Sequence, residues 1–308
     1  MTEWTSLTRR DAVGVLAAGT LALAAGRALG RAAPAASHHT LWYRQPAKEW
    51  VEALPVGNGR IGAMVFGGVE RERLQLNEDT LWGGGPYDPV NPEAIAALPQ
   101  VRELIFAGKF AEAEQLANAK VMAKPLRQMS YQALGDLFIE LVGAEGQPVT
   151  DYRRELDIDA AVATTRFVAG GVAYERRVVA SPKDQVIAVE IRSEGDRPFD
   201  LALSMTSPQK AASVAVERAD TLVLSGRNNG EHGIEGALRF EGRVRVLAPG
   251  AALNAEGGRV RVKGARSVTI LVAMATSYRR FDDVSGDPAA ITRAQIEKGE
   301  PAQLRADR

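Results

Sequence analysis

Between Val162 and Thr276 the chain alternates apolar and polar residues in short runs separated by turn-forming residues. Residues 172–180, 185–192, 199–206 and 238–246 each repeat at period two, which predicts strands that turn one face to a core. Breakers stand between them at Ser181-Pro182-Lys183-Asp184, Gly195-Asp196-Arg197-Pro198, Asn228-Asn229-Gly230 and Glu256-Gly257-Gly258. That rhythm belongs to an antiparallel sandwich or barrel, and no strand–helix–strand alternation points to a parallel sheet. Ser267 to Ala275 is almost continuously apolar, as expected of a central strand covered on both faces. Helix is expected in two places. Asn91-Pro92-Glu93 has the form of an N-cap with Pro at the first helical position, followed by Val101, Leu104 and Ile105, and after Gly108 by Phe110, Ala113, Ala117 and Val121. Near the C-terminus, Asp287-Pro288 can cap a helix carrying Ile291 and Ile296 before Gly299, and a further helical pattern begins at Pro301. The fold class expected is mainly β: a large antiparallel β-sandwich (super-sandwich) with a small inserted helical pair and a C-terminal linker helix.

The first 36 residues read as an export tag. Thr8-Arg9-Arg10 precedes an apolar run from Ala12 to Ala25, shorter than the roughly 20 residues a membrane-spanning helix needs but suited to a signal peptide. The paired arginines point to the twin-arginine route, and Ala33-Pro34-Ala35 has the form of a cleavage site. An exported, periplasmic or extracellular protein follows, with no stable membrane span after cleavage. The domain expectation is a signal peptide over 1–36, a β-sandwich over 40–285 and the start of a helical linker over 286–308.

Charge narrows the partners. The chain of 308 residues carries 38 basic and 38 acidic residues, so no basic excess exists to hold nucleic acid. It has no cysteine, which removes disulfides, thiolate metal sites and a cysteine nucleophile. Only three histidines, His38, His39 and His232, could serve imidazole chemistry. No metal or cofactor is expected.

Gly57-Asn58-Gly59-Arg60-Ile61-Gly62 matches the G-x-G-x-x-G spacing of a phosphate-cradling turn. That fingerprint needs a helix after it, whereas the strand-like Ala63-Met64-Val65-Phe66 follows, so the segment reads as a hairpin-type turn. The densest polar chemistry is Leu74 to Pro86. Glu78 and Asp79 are adjacent, and adjacent residues on a strand face opposite ways, so they cannot act as a paired acid and base without a bend. Two readings stand: Asn77 and Asp79 build a turn while Trp82 packs in the core, or Trp82 is an aromatic sugar platform rimmed by three glycines that allow close approach. Asn77, Glu78, Asp79 and Trp82 are thus the candidate substrate-contact or domain-interface residues. The short fragment is expected to give no second aromatic beside Trp82 to complete a sugar platform, which favours the interface. His232, in a turn-rich loop, reads as a surface residue.

Residues 41–50, 52–68 and Leu76-Asn-Glu-Asp-Thr-Leu-Trp82 closely resemble the opening of glycoside hydrolase family 95, the α-L-fucosidase and α-L-galactosidase family. Tyr131-Gln132, Gly135-Asp136-Leu137, Tyr152 to Asp157 and Ala275-Thr-Ser-Tyr278 resemble later landmarks in the same order. The resemblance covers Leu41 to Arg308 and implies the N-terminal β-sandwich alone. In that family the catalytic (α/α)6 barrel follows, bearing the general acid Glu and the Asn and Asp residues that activate water in an inverting mechanism; none has a matching position here. The resemblance therefore implies the N-terminal part of a glycosidase acting on fucosylated or galactosylated glycans, truncated before its catalytic barrel, inactive alone and with that barrel as its partner. The alternative is a stand-alone carbohydrate-binding or protein-interaction module. Catalysis by two carboxylates on sandwich loops is a third reading.

Overall fold

The computed structural model describes residues 39–299. The expected signal segment, His38 and the helical pattern after Pro301 lie outside them. In chain order the strands are β1 Thr40–Tyr43, β2 Leu54–Gly57, β3 Ile61–Val65, β4 Arg71–Glu78, β5 Gly135–Val142, β6 Val149–Asp157, β7 Val162–Ala169 and β8 Val172–Ser181. They continue with β9 Val186–Ser193, β10 Phe199–Thr206, β11 Ala211–Arg218, β12 Thr221–Arg227, β13 Arg239–Leu247, β14 Ala252–Glu256, β15 Arg259–Ala265 and β16 Ser267–Thr276. The helices are α1 Ala94–Phe106, α2 Phe110–Lys120 and α3 Pro288–Lys298.

Two sheets face each other. One has nine strands in the order β1-β6-β7-β8-β9-β16-β13-β12-β11, the other seven in the order β14-β15-β10-β5-β4-β3-β2. The pairings of β2 to β16 are antiparallel throughout, so the mainly β sandwich expected from the period-two runs is the fold observed. One face of each inner strand enters a shared core that includes Leu74, Leu76, Leu137, Ile139, Leu203, Phe240, Val244 and Ile270. Each such large apolar side chain contributes about 1.5–3 kcal/mol when fully buried.

The Ser267–Ala275 run is β16, sixth in the nine-stranded sheet, and it is covered on both faces. Its second cover is α3. Val186 and Ala188 on β9, Leu271 and Ala273 on β16, and Ile296 on α3 form a separate buried cluster on the outer side of that sheet. Asp287 caps α3 by accepting from the N–H groups of Ala289 and Ala290, both at 3.1 Å, with Pro288 at the first position as expected. A buried polar contact also fastens the helix, because the Thr292 hydroxyl donates to Glu241 on β13.

The G-x-G-x-x-G look-alike is the β2–β3 hairpin turn. Asn58 Oδ1 accepts from the N–H groups of Arg60 and Ile61, and Gly59 sits at φ +91°, where a side chain would strain the backbone. The inserted helical pair exists but differs in its start and its burial. Helix α1 begins at Ala94, with Glu93 in the capping position, while Asn91 Oδ1 accepts from Glu93 N–H and closes the turn before it. Of the predicted apolar stripe, Val101 and Ala113 are buried, whereas Ile105 and Phe110 are exposed. The two helices pack on each other more than on the sandwich.

Candidate functional site

At the end of β4 the period-two pattern fixes what each polar residue can do. Glu72, Leu74, Leu76 and Glu78 alternate inward, so both carboxylates face the core. Glu78 meets Arg60 at 3.2 Å and accepts from the Thr80 N–H and hydroxyl at 2.8 and 2.6 Å. Burial pushes its pKa up from 4.5 despite those donors, and the neighbouring Asp79 charge adds to the rise. Arg60 also donates to the Met274 carbonyl and to Gln185, which ties the end of β4 to the opposite sheet. Glu78 is therefore a fastening inside the sandwich and is turned away from solvent.

Asp79 lies one residue further and is exposed, as the opposite-face argument requires. The chain then turns: Leu81 N–H donates to Glu78 O, and the Trp82 indole Nε1 donates to Asp79 O at 3.0 Å. The turn thus runs over Glu78, Asp79 and Thr80, so Asp79 belongs to it as expected, while Asn77 lies outside it. Trp82 is 41% exposed, which corrects the reading that it packs in the core.

The isolation of Trp82 from other aromatics is also corrected. Tyr131 forms a β-bridge with it, and the two rings meet edge to face with centroids 5.6 Å apart. The Tyr131 hydroxyl donates to Glu78 O at 3.1 Å and approaches Asn77 Oδ1 at 3.3 Å, which is where Asn77 finds its use. Burial raises the Tyr131 pKa to about 12, so the phenol stays a donor across the working pH range. Sequence proximity could not show this pair, because it depends on long-range pairing.

The three glycines admit the chain itself. A Cβ on Gly85 would stand 2.6 Å from Ala237 Cβ, and one on Gly83 would stand 2.8 Å from Glu231 Oε2. Gly84 N–H donates to Asn229 O, and Gly83 N–H donates to Ser130 O. Residues 79–86, 128–132 and 228–238 are thereby drawn into one loop cluster, and the close approach expected for a sugar is occupied by residues 229–237.

What remains open is a cleft of about 650 Å³ next to that cluster, lined by Asp79, Trp82, Tyr87, Gln128, Tyr278 and Phe281 among others. Four exposed aromatic residues therefore converge on it. Asp79 is the only carboxylate among its described lining residues, and no histidine reaches it. His232 is exposed in a neighbouring loop, 3.6 Å from Glu231. Among the described residues no cluster of His, Asp and Glu could hold a metal ion.

Residues 41–280 match the family described as "Glycosyl hydrolase family 65, N-terminal domain". The chain belongs to that family. It is 36% identical over 187 residues to "Alpha-L-fucosidase 2" of Arabidopsis thaliana, covering 60% of this chain and 22% of that protein. To "Probable alpha-fucosidase A" of Aspergillus niger it is 30% identical over 264 residues, covering 80% and 32%. To the protein of the same description from Aspergillus oryzae it is 25% identical over 270 residues, covering 82% and 35%. The resemblance read from Leu41 to Arg308 is thus matched over residues 41–280, as a glycoside hydrolase N-terminal domain with α-fucosidase relatives. The chain spans between 22% and 35% of the length of these relatives.

Proposed function

We propose that this chain is the N-terminal β-sandwich portion of an exported α-L-fucosidase-type glycoside hydrolase, acting together with a catalytic (α/α)6 domain on terminal α-L-fucosyl or α-L-galactosyl residues and without turnover of its own. The family match over residues 41–280, with α-fucosidases as relatives, carries this reading. The twin-arginine-like segment Thr8-Arg9-Arg10 with its apolar run supports export.

The chemistry of the cleft supports inactivity. Glycoside hydrolysis by the usual route needs two carboxyl groups roughly 5–10 Å apart on either side of the scissile bond. Asp79 is the one carboxylate of the described residues that lines the cleft, and Glu78 is buried against Arg60 and Thr80. The test is an aryl α-L-fucoside assay on the purified chain, alone and mixed with a separately produced catalytic domain. We expect no release of the aryl group by the chain alone. Turnover that disappears in Asp79→Asn would overturn the proposal.

A further inference from the structure

We propose that the cleft beside Trp82 is a binding site for one neutral pyranose residue, which deepens and rests on the glycan-directed reading above. Its lining is rich in aromatic side chains: Trp82, Tyr278 and Phe281 are 41%, 45% and 82% exposed. A pyranose ring presents apolar C–H faces and a rim of hydroxyls. Aromatic faces, negative in their quadrupole, suit the first, and a few fixed polar groups suit the second. A volume of about 650 Å³ is ample for such a ring.

The platform is built in advance. The Trp82 indole is held by its bond to Asp79 O and by the edge of Tyr131, which is itself anchored through its hydroxyl. Ordering these rings on binding therefore adds little entropic penalty. The glycines behind Trp82 are locked to residues 229–237, so the wall cannot fold away.

The polar side chains select the ligand's charge. The Asp79 carboxylate accepts no hydrogen bond from any described residue, so its oxygens are available to sugar hydroxyls. The Gln128 amide is exposed at the same cleft. Among the described residues Asp79 is the single charged side chain lining the site, and it is negative. A uronic acid would place a second carboxylate beside it, so neutral hexoses and 6-deoxyhexoses are favoured over acidic ones.

Isothermal titration calorimetry of the full chain with methyl α-L-fucopyranoside, methyl α-D-galactopyranoside, methyl α-D-glucopyranoside and D-galacturonate tests this. We expect a neutral glycoside to bind with a dissociation constant on the order of 1 mM and galacturonate to bind about tenfold more weakly. Trp82→Ala and Phe281→Ala should each weaken neutral-sugar binding about tenfold, and Asp79→Asn should abolish the discrimination against galacturonate. Phe281 is so exposed that its removal leaves the fold intact, which circular dichroism verifies. No saturable heat with any sugar, equal binding of galacturonate, or binding that survives both aromatic substitutions would overturn the proposal and leave the cleft as a protein contact surface. Saturable binding of a neutral glycoside, together with no aryl α-L-fucoside turnover by the chain mixed with a catalytic domain, would retain the site while overturning the α-fucosidase reading, so the two can fail separately.

Discussion

The side-chain amide of Asn228 donates to the main-chain carbonyl of Trp82 at 2.6 Å. The same nitrogen reaches Gly84 O, also at 2.6 Å, while Asn228 Oδ1 accepts from Leu238 N–H at 2.9 Å. One buried amide thus holds the turn that carries the exposed indole against the strand that begins at Arg239.

Replacing Asn228 by Ala should leave the Trp82 carbonyl and the Leu238 N–H without their partner, while the Gly84 carbonyl keeps the Ala237 N–H. Each unsatisfied group costs about 1–3 kcal/mol, and partial relaxation should leave a net loss of roughly 2–4 kcal/mol. Urea denaturation followed by far-UV circular dichroism reads the loss. A midpoint unchanged from that of the parent chain would show that the clamp is dispensable.

The inward face of β4 is closed at its other end by Glu72, which pairs with Arg176 on β8 and accepts from Gly67 N–H at 2.8 Å. Both partners are almost wholly buried. Arg176→Ala strands the Glu72 charge and should destabilise the sandwich by about 3–5 kcal/mol, far more than a surface pair would. Substituting Arg166, whose contacts to Glu155 and Glu175 are on the exposed side, should change stability by less than about 1 kcal/mol. Comparable losses from the two substitutions would contradict this ranking.

Much of this architecture is legible in the sequence, for physical reasons that can be named. Period two fixes which residues of β8, β9, β10 and β13 share a face, and the unbroken apolar run of β16 announces cover on both sides. Asp287-Pro288 states where α3 begins, because an acceptor side chain and a missing N–H are what a helix start requires. The alternation Glu72, Leu74, Leu76, Glu78 also held the information that Glu78 points inward, a signal masked by the attention that three consecutive polar residues draw. Tyr131 beside Trp82, and Ala237 against Gly85, had no local signal. They follow from which strands pair and how loops meet at one end of the sandwich, which depends on the whole chain. The helical spacing of α1 and α2 was real, yet spacing alone does not specify a surface to bury against.

Glu78 should give the sandwich an inverted acid response. Its folded pKa is raised by burial, so between the unfolded value of 4.5 and the folded one the native state binds the extra proton. The sign follows: this group's contribution to stability falls as pH rises through that window, stays low above the folded pKa, and recovers below 4.5 where both states are protonated. Glu78→Gln is neutral throughout. The unfolding free energy of the parent chain minus that of the variant should therefore decrease from about pH 4 to about pH 8. Denaturant titrations at both ends measure it, and a difference that is flat or increases with pH would refute the raised pKa.

The helical pair should be the least stable part of the described chain. Ile95 and Phe106 are 88% exposed and Phe110 is 68% exposed, while only Ala97, Val101 and Ala113 are buried, two of them alanines that offer little apolar area. Helices of 13 and 11 residues are marginal in water without tertiary packing, and α1 also carries Pro99. What holds the pair is peripheral: Asn91 Nδ2 donates to Met122 O, Lys124 N–H donates to Pro89 O, and exposed Lys120 and Lys124 pair with Glu93. Exposed pairs of that kind contribute under about 1 kcal/mol each. Local opening should thus occur far below the global unfolding free energy. In hydrogen–deuterium exchange, amides of α1 and α2 should exchange at least a hundredfold faster than those of β9 and β16, where Val186, Ala188, Leu271 and Ala273 are sealed on both sides by the core and α3. Brief trypsin digestion should cut near Arg102, Lys109 or Lys120 and leave the sandwich folded, as read by an unchanged β-type circular dichroism spectrum. Protection of the two helices equal to that of β16 would mean that they are held by contacts stronger than those described.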